Sequence, residues 1–293
     1  MWKKSAPYRL LIPQIILSII FLIGLISAIT QSLGMIPAFG LTEPTLKYYK
    51  EILISPSTMR SIEYSLRIAL ISSVLATFIG VIICAVIVMG RRTKGYYMRI
   101  VQLPIVVPHV VVALFTINIL SQNGMVARIF YSLGIIKEQQ QFPMFMYDSY
   151  GIGIILAYLW KEVPFIIYFI IALMSNINDK LGEAARNLGA SRWTSFYKVT
   201  LPLCKNSILS GFLIIFVFSL GAYELPAILG ATLPRALPVQ AYIEYIHPNL
   251  KNRPYAMALN GIIIIISCIS ACIYYILMEK KIRGLNQRKQ GKE

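Results

Sequence analysis

Six apolar runs, each close to twenty residues or longer, limit what this chain can become. With soft edges they cover 10–30, 62–89, 100–121, 151–174, 207–229 and 256–278. A helix needs about 20 apolar residues to cross a bilayer. The expectation is an all-α, polytopic membrane protein with six transmembrane helices. Composition agrees: 57% of the 293 residues are hydrophobic and only 14% charged, where a soluble domain carries about 25% charged residues. The third run is interrupted by Pro104 and Pro108. Membrane helices tolerate such prolines where neighbours satisfy the freed carbonyls.

A net charge of +16 raises the question of nucleic acid. The basic residues fall between the apolar runs rather than along one face, so they read as topology signals and not as a nucleic-acid surface. With the N-terminus inside, the inner segments hold eighteen Lys and Arg and the outer ones eight. The inner set includes Lys3, Lys4 and Arg9, then Arg91, Arg92, Lys94 and Arg99, and the run from Lys280 to Lys292. The positive-inside rule then expects a multi-pass protein of the bacterial inner membrane with both termini cytoplasmic. The first run follows basic residues as a signal peptide does, but its length and the lack of an A-x-A site expect an uncleaved anchor. The basic tail, 279–293, is expected to orient the chain and attract anionic membrane lipid. The longer outer loops, "GMIPAFGLTEP" and "FPMFMYDSYG", read as ordered caps. The expected organisation is an anchor helix and first outer loop (1–60), a core (61–278) and the tail.

Chemistry-bearing patterns are scarce. Cys84, Cys204, Cys268 and Cys272 show no metal-ligand spacing, and buried thiols act as small hydrophobes. His109 and His247 lie far apart in sequence, each beside a proline. A Walker A loop needs G-x-x-x-x-G-K-[ST]; Gly291-Lys292 is followed only by Glu293. The expectation is no catalytic residue, no metal site and no nucleotide site in this chain.

One polar stretch does carry a pattern. "EAARNLGASRWTSFYKVTLP" occupies 183–202, between two apolar runs. Leu181, Ala184, Ala185 and Leu188 fall at i, i+3, i+4 and i+7, one helix face. Asn178 or Asp179 is placed to cap the start, and Gly189 to supply a left-handed stop. Ser191 is placed to cap a second short helix, in which Trp193, Phe196 and Tyr197 share a face. Leu201-Pro202 would close the segment, because proline lacks an amide donor. Two amphipathic helices across a glycine either pack on the membrane surface or dock a cytoplasmic partner.

Glu183, Ala184 and Ala185, then Gly189, then Val199, Leu201 and Pro202 keep the spacing E-A-A-x3-G-x9-[IV]-x-L-P. This resembles the EAA loop of binding-protein-dependent ABC importer permeases (type I, MetI-like), with Val199 where the family pattern has Ile. "WKEVPF" before the loop and "FSLGAYELPAILG" after it fit the same family. The resemblance covers roughly 60–278. It implies a MetI-like ABC transporter permease fold with its coupling loop at 178–202. It implies partners too: two copies of an ABC ATPase subunit that uses the ATP, a second and heteromeric permease, and an extracytoplasmic solute-binding protein. Leu181, Leu188, Trp193, Phe196 and Tyr197 would form the docking face. The stretch from "LGAYELPAILG" onward resembles the polyamine, thiamine, iron and sulfate group rather than the sugar group.

Charges inside the spans complete the reading. Intramembrane charge is costly, so each such residue faces the bundle interior, a pathway or a partner. Lys161 and Glu162 are adjacent in the fourth run, and point about 100° apart on a helix. Glu63 and Arg67 make an i,i+4 pair. Glu224 has no evident partner in the sequence and could meet a cationic solute, a structural contact or the partner permease. Lys161, Glu162 and Glu224 are candidates for the translocation path. A gradient-driven secondary transporter is the alternative, and it expects matching broken helices in two halves. A structural membrane adaptor would explain the spans but not the loop.

Overall fold

The computed structural model describes the backbone of residues 2–93 and 95–290, and the side chains of 11–93 and 95–276. The side chains of Lys3, Lys4, Arg9 and the basic tail, and the whole of Lys94, therefore lie outside what is described. In chain order the helices are α1 (Trp2–Ser32), α2 (Lys47–Ile54), α3 (Pro56–Met89), α4 (Tyr96–Val106), α5 (His109–Leu120), α6 (Met125–Ser132) and α7 (Ile152–Ile177). Then follow α8 (Glu183–Asn187), α9 (Arg192–Ser195), α10 (Leu201–Gly221), α11 (Glu224–Leu229), α12 (Leu237–Tyr245) and α13 (Arg253–Gln290). Among the described residues the only β pairing is an isolated bridge between Ile36 and Leu41. Six stretches are long and apolar enough to cross a membrane: Leu11–Ser32, Pro56–Met89, His109–Ser132, Ile152–Asn187, Arg192–Gly221 and Leu250–Ile276.

Two of these differ from the sequence expectation. The third run is not one helix over 100–121. Pro104 stays inside α4, but α4 stops at Val106. Val107 is extended (ψ 128°), and Pro108 precedes the first residue of α5. Proline disfavours the helical region for the residue before it, which places the break at Val107. The fifth run does not reach 229. Its helix ends at Gly221, Ala222 turns extended (ψ 135°), and Glu224 opens the separate α11. The chain therefore contains a second broken helix where the sequence showed one.

The chain divides into two compact units. One comprises 1–59 and 237–265. Here the segment between α1 and α3 is ordered by aromatic and polar contacts. Tyr49 Oη donates to Ser32 Oγ at 2.9 Å, and Tyr48 meets Tyr255 edge to face with centroids 4.9 Å apart. The Tyr255 hydroxyl bonds the Glu51 carboxylate. The Arg253 guanidinium lies over Tyr245 at 5.1 Å and Phe39 at 5.8 Å.

The other unit comprises 60–236 and 266–293. Its core is built where α3, α4, α7 and α10 meet, around Ala76, Cys84, Val88, Met98, Ile166, Ile170, Met174, Cys204 and Ile215. Ile166 is the pivot. A Cβ on Gly80 of α3 would lie 2.7 Å from its Cγ2, and one on Gly211 of α10 would lie 3.0 Å from its Cδ1. Small residues permit this close helix approach, which replaces the hydrophobic drive that lipid cannot supply. Cys84 and Cys204 are buried free thiols, while Cys268 and Cys272 are exposed and free. Asp148 starts α7: its carboxylate accepts from Tyr150 N at 2.9 Å and Ile152 N at 3.0 Å. The expected Glu63–Arg67 pair does not form. Arg67 Nη2 donates to Ser149 O at 2.5 Å, and its guanidinium lies near the Tyr64 and Tyr150 rings. The loop before α7 offers a carbonyl closer than the carboxylate one turn away.

Candidate functional site

The polar stretch folds as a helix, a turn and a helix, but its ends differ from expectation. No cap separates it from α7. The helix passes through a π-helical turn, Asn178–Gly182, directly into α8. Asn178 is buried rather than capping, and Asp179 Oδ2 accepts from Ser175 Oγ at 3.3 Å. At the far end Pro202 closes nothing. A second π-helical turn, Phe196–Thr200, leads from α9 into α10, with Pro202 in the first turn of α10. Pro202 lacks the N–H that would bond Lys198 O, and a π turn is a common way for a helix to absorb such a loss.

Between these turns the expected stops hold. Gly189 has φ 92°. Gly189 N donates to Arg186 O (2.9 Å) and Ala190 N to Ala185 O (3.1 Å), the paired bonds of a Schellman helix end. Ser191 Oγ accepts from Thr194 N at 3.1 Å and caps α9. Ser195 Oγ donates to Gly182 O at 2.8 Å, a buried bond that ties the two legs together. A side chain at Gly182 would be crowded: a Cβ there would meet Asn178 Oδ1 at 3.0 Å and Ser195 Oγ at 3.2 Å.

The expected docking face divides. Leu181, Leu188, Trp193 and Tyr197 are exposed, at 51%, 90%, 68% and 71% of their surface. Phe196 is not on that face. It is 5% exposed and packs in the core with Ile170, Met174 and Cys204. The inward side of this leg takes Ser195, Phe196 and Thr200, so Trp193 and Tyr197, at i and i+4, point the other way. Ala184 is exposed and Ala185 half-buried; Val199 and Leu201 are half-buried, and Pro202 is exposed. Glu183 bonds Arg91 in the α3–α4 turn and lies 3.3 Å from Arg186. Arg91 escaped the sequence reading because it was one of four clustered basic residues.

A second polar cluster forms at the helix breaks. Lys161 Nζ donates to Ile105 O at 3.0 Å and Val107 O at 2.6 Å. It thus serves the carbonyl end of α4, where a cation also complements the helix dipole. Glu162 points elsewhere, as adjacent helical residues must. It is 3% exposed and accepts from the Ser219 hydroxyl of α10. Glu224 does have a partner: His109 Nδ1, 3.3 Å from its Oε2. Both residues begin helices that follow a break, α5 and α11. His109, Lys161 and Glu162 line a cavity of about 220 Å³, otherwise walled by Ile105, Phe165, Ile214, Ile215 and Phe218. The signal for His109 was its position right after Pro108; nothing local in the sequence pairs it with a residue more than a hundred positions away. Among the described residues no group of three or more His, Cys, Asp or Glu is placed to hold a metal ion.

Long apolar helices, two of them broken, and a polar helix–turn–helix on the α7–α10 pair define a polytopic α-helical membrane protein. The chain belongs to the family of binding-protein-dependent transport system inner membrane components, whose profile matches residues 76–284. The "Probable molybdenum ABC transporter permease protein" of Haloferax volcanii is 28% identical over 58% of this chain and 58% of its own length. The "Sulfate transport system permease protein CysT" of Escherichia coli K12 is 23% identical over 74% of this chain and 75% of its own. A CysT-type relative from Chlorokybus atmophyticus is 25% identical, with 64% of its length covered. The chain thus spans less than two thirds of the Haloferax and Chlorokybus relatives. A chain of the bacterial alginate ABC transporter, solved with an alginate pentasaccharide-bound periplasmic protein, superposes with a TM-score of 0.74. That match covers 94% of this chain and 95% of that one at 20% identity, a likeness of fold.

Proposed function

We propose that this chain is a transmembrane subunit of an ATP-driven importer, with no nucleotide site of its own. The carrying observation is the loop: a helix–turn–helix, tied at its base, that leaves Leu188, Trp193 and Tyr197 uncovered. Large exposed apolar residues grouped on a polar segment suit a protein partner. That partner is a separate ABC ATPase, present in two copies, whose closure would be passed to α7 and α10 through the continuous helical legs. A second, non-identical permease and an extracytoplasmic binding protein complete the assembly. Both termini, and the loop, face the cytoplasm. Lys161, Glu162 and Glu224, with His109, lie on the translocation path.

The solute is a small ion. The expectation of a cationic solute drew on an unpartnered Glu224, and His109 accounts for that carboxylate. The names of the molybdenum and sulfate relatives favour a tetrahedral oxyanion. Cells with and without the chain, given radiolabelled sulfate, molybdate or spermidine, test this. Loss of sulfate or molybdate uptake on deletion supports the reading; loss of spermidine uptake alone returns it to the cation.

A gradient-driven secondary transporter is the second reading, and the break at Ala222 is the observation on its side, since such carriers use paired broken helices. Vesicles containing the chain but no ATPase discriminate. Solute accumulation driven by an ion gradient there would overturn the importer reading.

A further inference from the structure

Arg91 occupies a position where an L-residue is unusual. Its φ is 55°, in the left-handed region that glycine enters without a steric penalty. It follows α3 in a helix stop of the same kind that ends α8. Arg91 N donates to Val88 O at 3.0 Å and Arg92 N to Ile87 O at 2.9 Å. Glycine is the usual residue at that place in such a stop, yet Gly90 stands one position earlier and is not in the left-handed region. The side chain shows what an arginine does there that glycine could not. Its Nη2 bonds Glu183 Oε1, the oxygen that Arg186 Nη2 also approaches at 3.3 Å.

Beyond its continuity with α7 through the π turn, the short helix α8 has little packing to fix its direction. None of its five residues is buried, and the following Leu188 is almost wholly exposed. The buried Ser195–Gly182 bond holds the base of the loop rather than its tip.

We propose that Arg91 is a positioning residue for the loop, holding α8 to the α3–α4 turn through the Glu183 carboxylate. The tether presents the exposed face of the loop in one orientation. Its use to an ATPase rests on the function proposed above; the tether itself is a property of this chain alone. Both side chains are largely open to solvent, and exposed ion pairs contribute little to stability. Removing the pair therefore changes where α8 points rather than whether the chain folds. The tether also weakens with salt, since screening acts strongly on exposed charges.

The test uses the full chain in lipid nanodiscs, with Cys268→Ser and Cys272→Ser so that the exposed native thiols do not react. Nitroxide labels on cysteines replacing Tyr96 and Leu188, both exposed, report the distance from the α3–α4 turn to the loop by pulsed electron resonance. The expected result is a narrow distribution at low salt. It widens about two-fold near 1 M NaCl, where the Debye length falls from about 10 Å to about 3 Å. Arg91→Gly fits the left-handed backbone without strain and removes the side chain with its guanidinium, so it gives the wide distribution at both salt levels. Arg91→Lys keeps the charge and stays narrow at low salt. A narrow distribution in Arg91→Gly, or an equally wide one in Arg91→Lys, overturns the proposal. A loop that docks no ATPase would still give these distances, so the two readings fail separately.

Discussion

The ammonium of Lys161 lies 2.6 Å from the carbonyl oxygen of Val107 and 3.0 Å from that of Ile105. A charge expected to mark a pathway is thereby also the cap of a broken helix. Pro108 forces Val107 out of the helix, which frees carbonyls at the end of α4, and Lys161 donates to two of those around the break. Lys161→Met should leave those half-buried carbonyls without these donors, at a cost of about 1 kcal/mol, toward the low end for an unsatisfied acceptor. The thermal unfolding midpoint in detergent should fall, while Lys161→Arg, which keeps the donors, should lie between. An unchanged midpoint in Lys161→Met would mean that other groups serve the break.

His109 and Glu224 join the start of α5 to the start of α11. If that link matters to transport, the two residues should act as one unit. Glu224→Gln and His109→Gln should each lower uptake, and the double variant should be no worse than the more severe single, because coupled neighbours are non-additive. Strict additivity of the two effects on the logarithm of the uptake rate would separate them.

The six spans and the loop's internal stops were legible because they rest on local rules. Length and apolarity mark a span, and Gly189 and Ser191 stand where helix stops and caps need them. What was not legible depended on residues far apart. Nothing near Phe196 says that the core, rather than solvent, claims it; that follows from α9 and α10 being one continuous leg packed on α7. Glu224 looked unpaired because His109 is 115 positions away. Glu63 and Arg67 had the spacing of a pair, but a loop carbonyl at Ser149 competed for the guanidinium and won. The break at Ala222 lacked the proline that announced the one at Pro108.

The base of the loop is closed by a contact with little spare room. Ser195→Ala removes the buried bond to Gly182 O and should cost on the order of 1 kcal/mol. Gly182→Ala should do more harm, since its Cβ would press on both Asn178 and Ser195. Limited proteolysis of the purified chain should show faster cutting within 183–202 in both variants, with Gly182→Ala the faster. Equal protection in all three proteins would show that the legs are held by the surrounding core instead.

At the tip, Gly189 separates the cost of backbone strain from that of crowding. Its φ is 92°, and a Cβ built there meets nothing within 4 Å. Substitution is therefore opposed by conformation alone. An L-residue in the left-handed region costs roughly 1–2 kcal/mol, and asparagine tolerates it better than others; a β-branched residue is worse still. Such a cost is unlike that of disrupting a core helix, so Gly189→Asn, Gly189→Ala and Gly189→Val should all reach the membrane in normal amounts. It is large for a turn that must set the angle between Leu188 on one side and Trp193 on the other. Co-purification of the ATPase subunit, and uptake with it, should then fall in the order Asn, Ala, Val. Trp193→Ala, which leaves the backbone path intact, should weaken co-purification without altering protease protection of the loop. Full retention of ATPase and uptake by Gly189→Val would remove the docking role from this turn. Loss of the protein from the membrane would show instead that the turn is needed for folding.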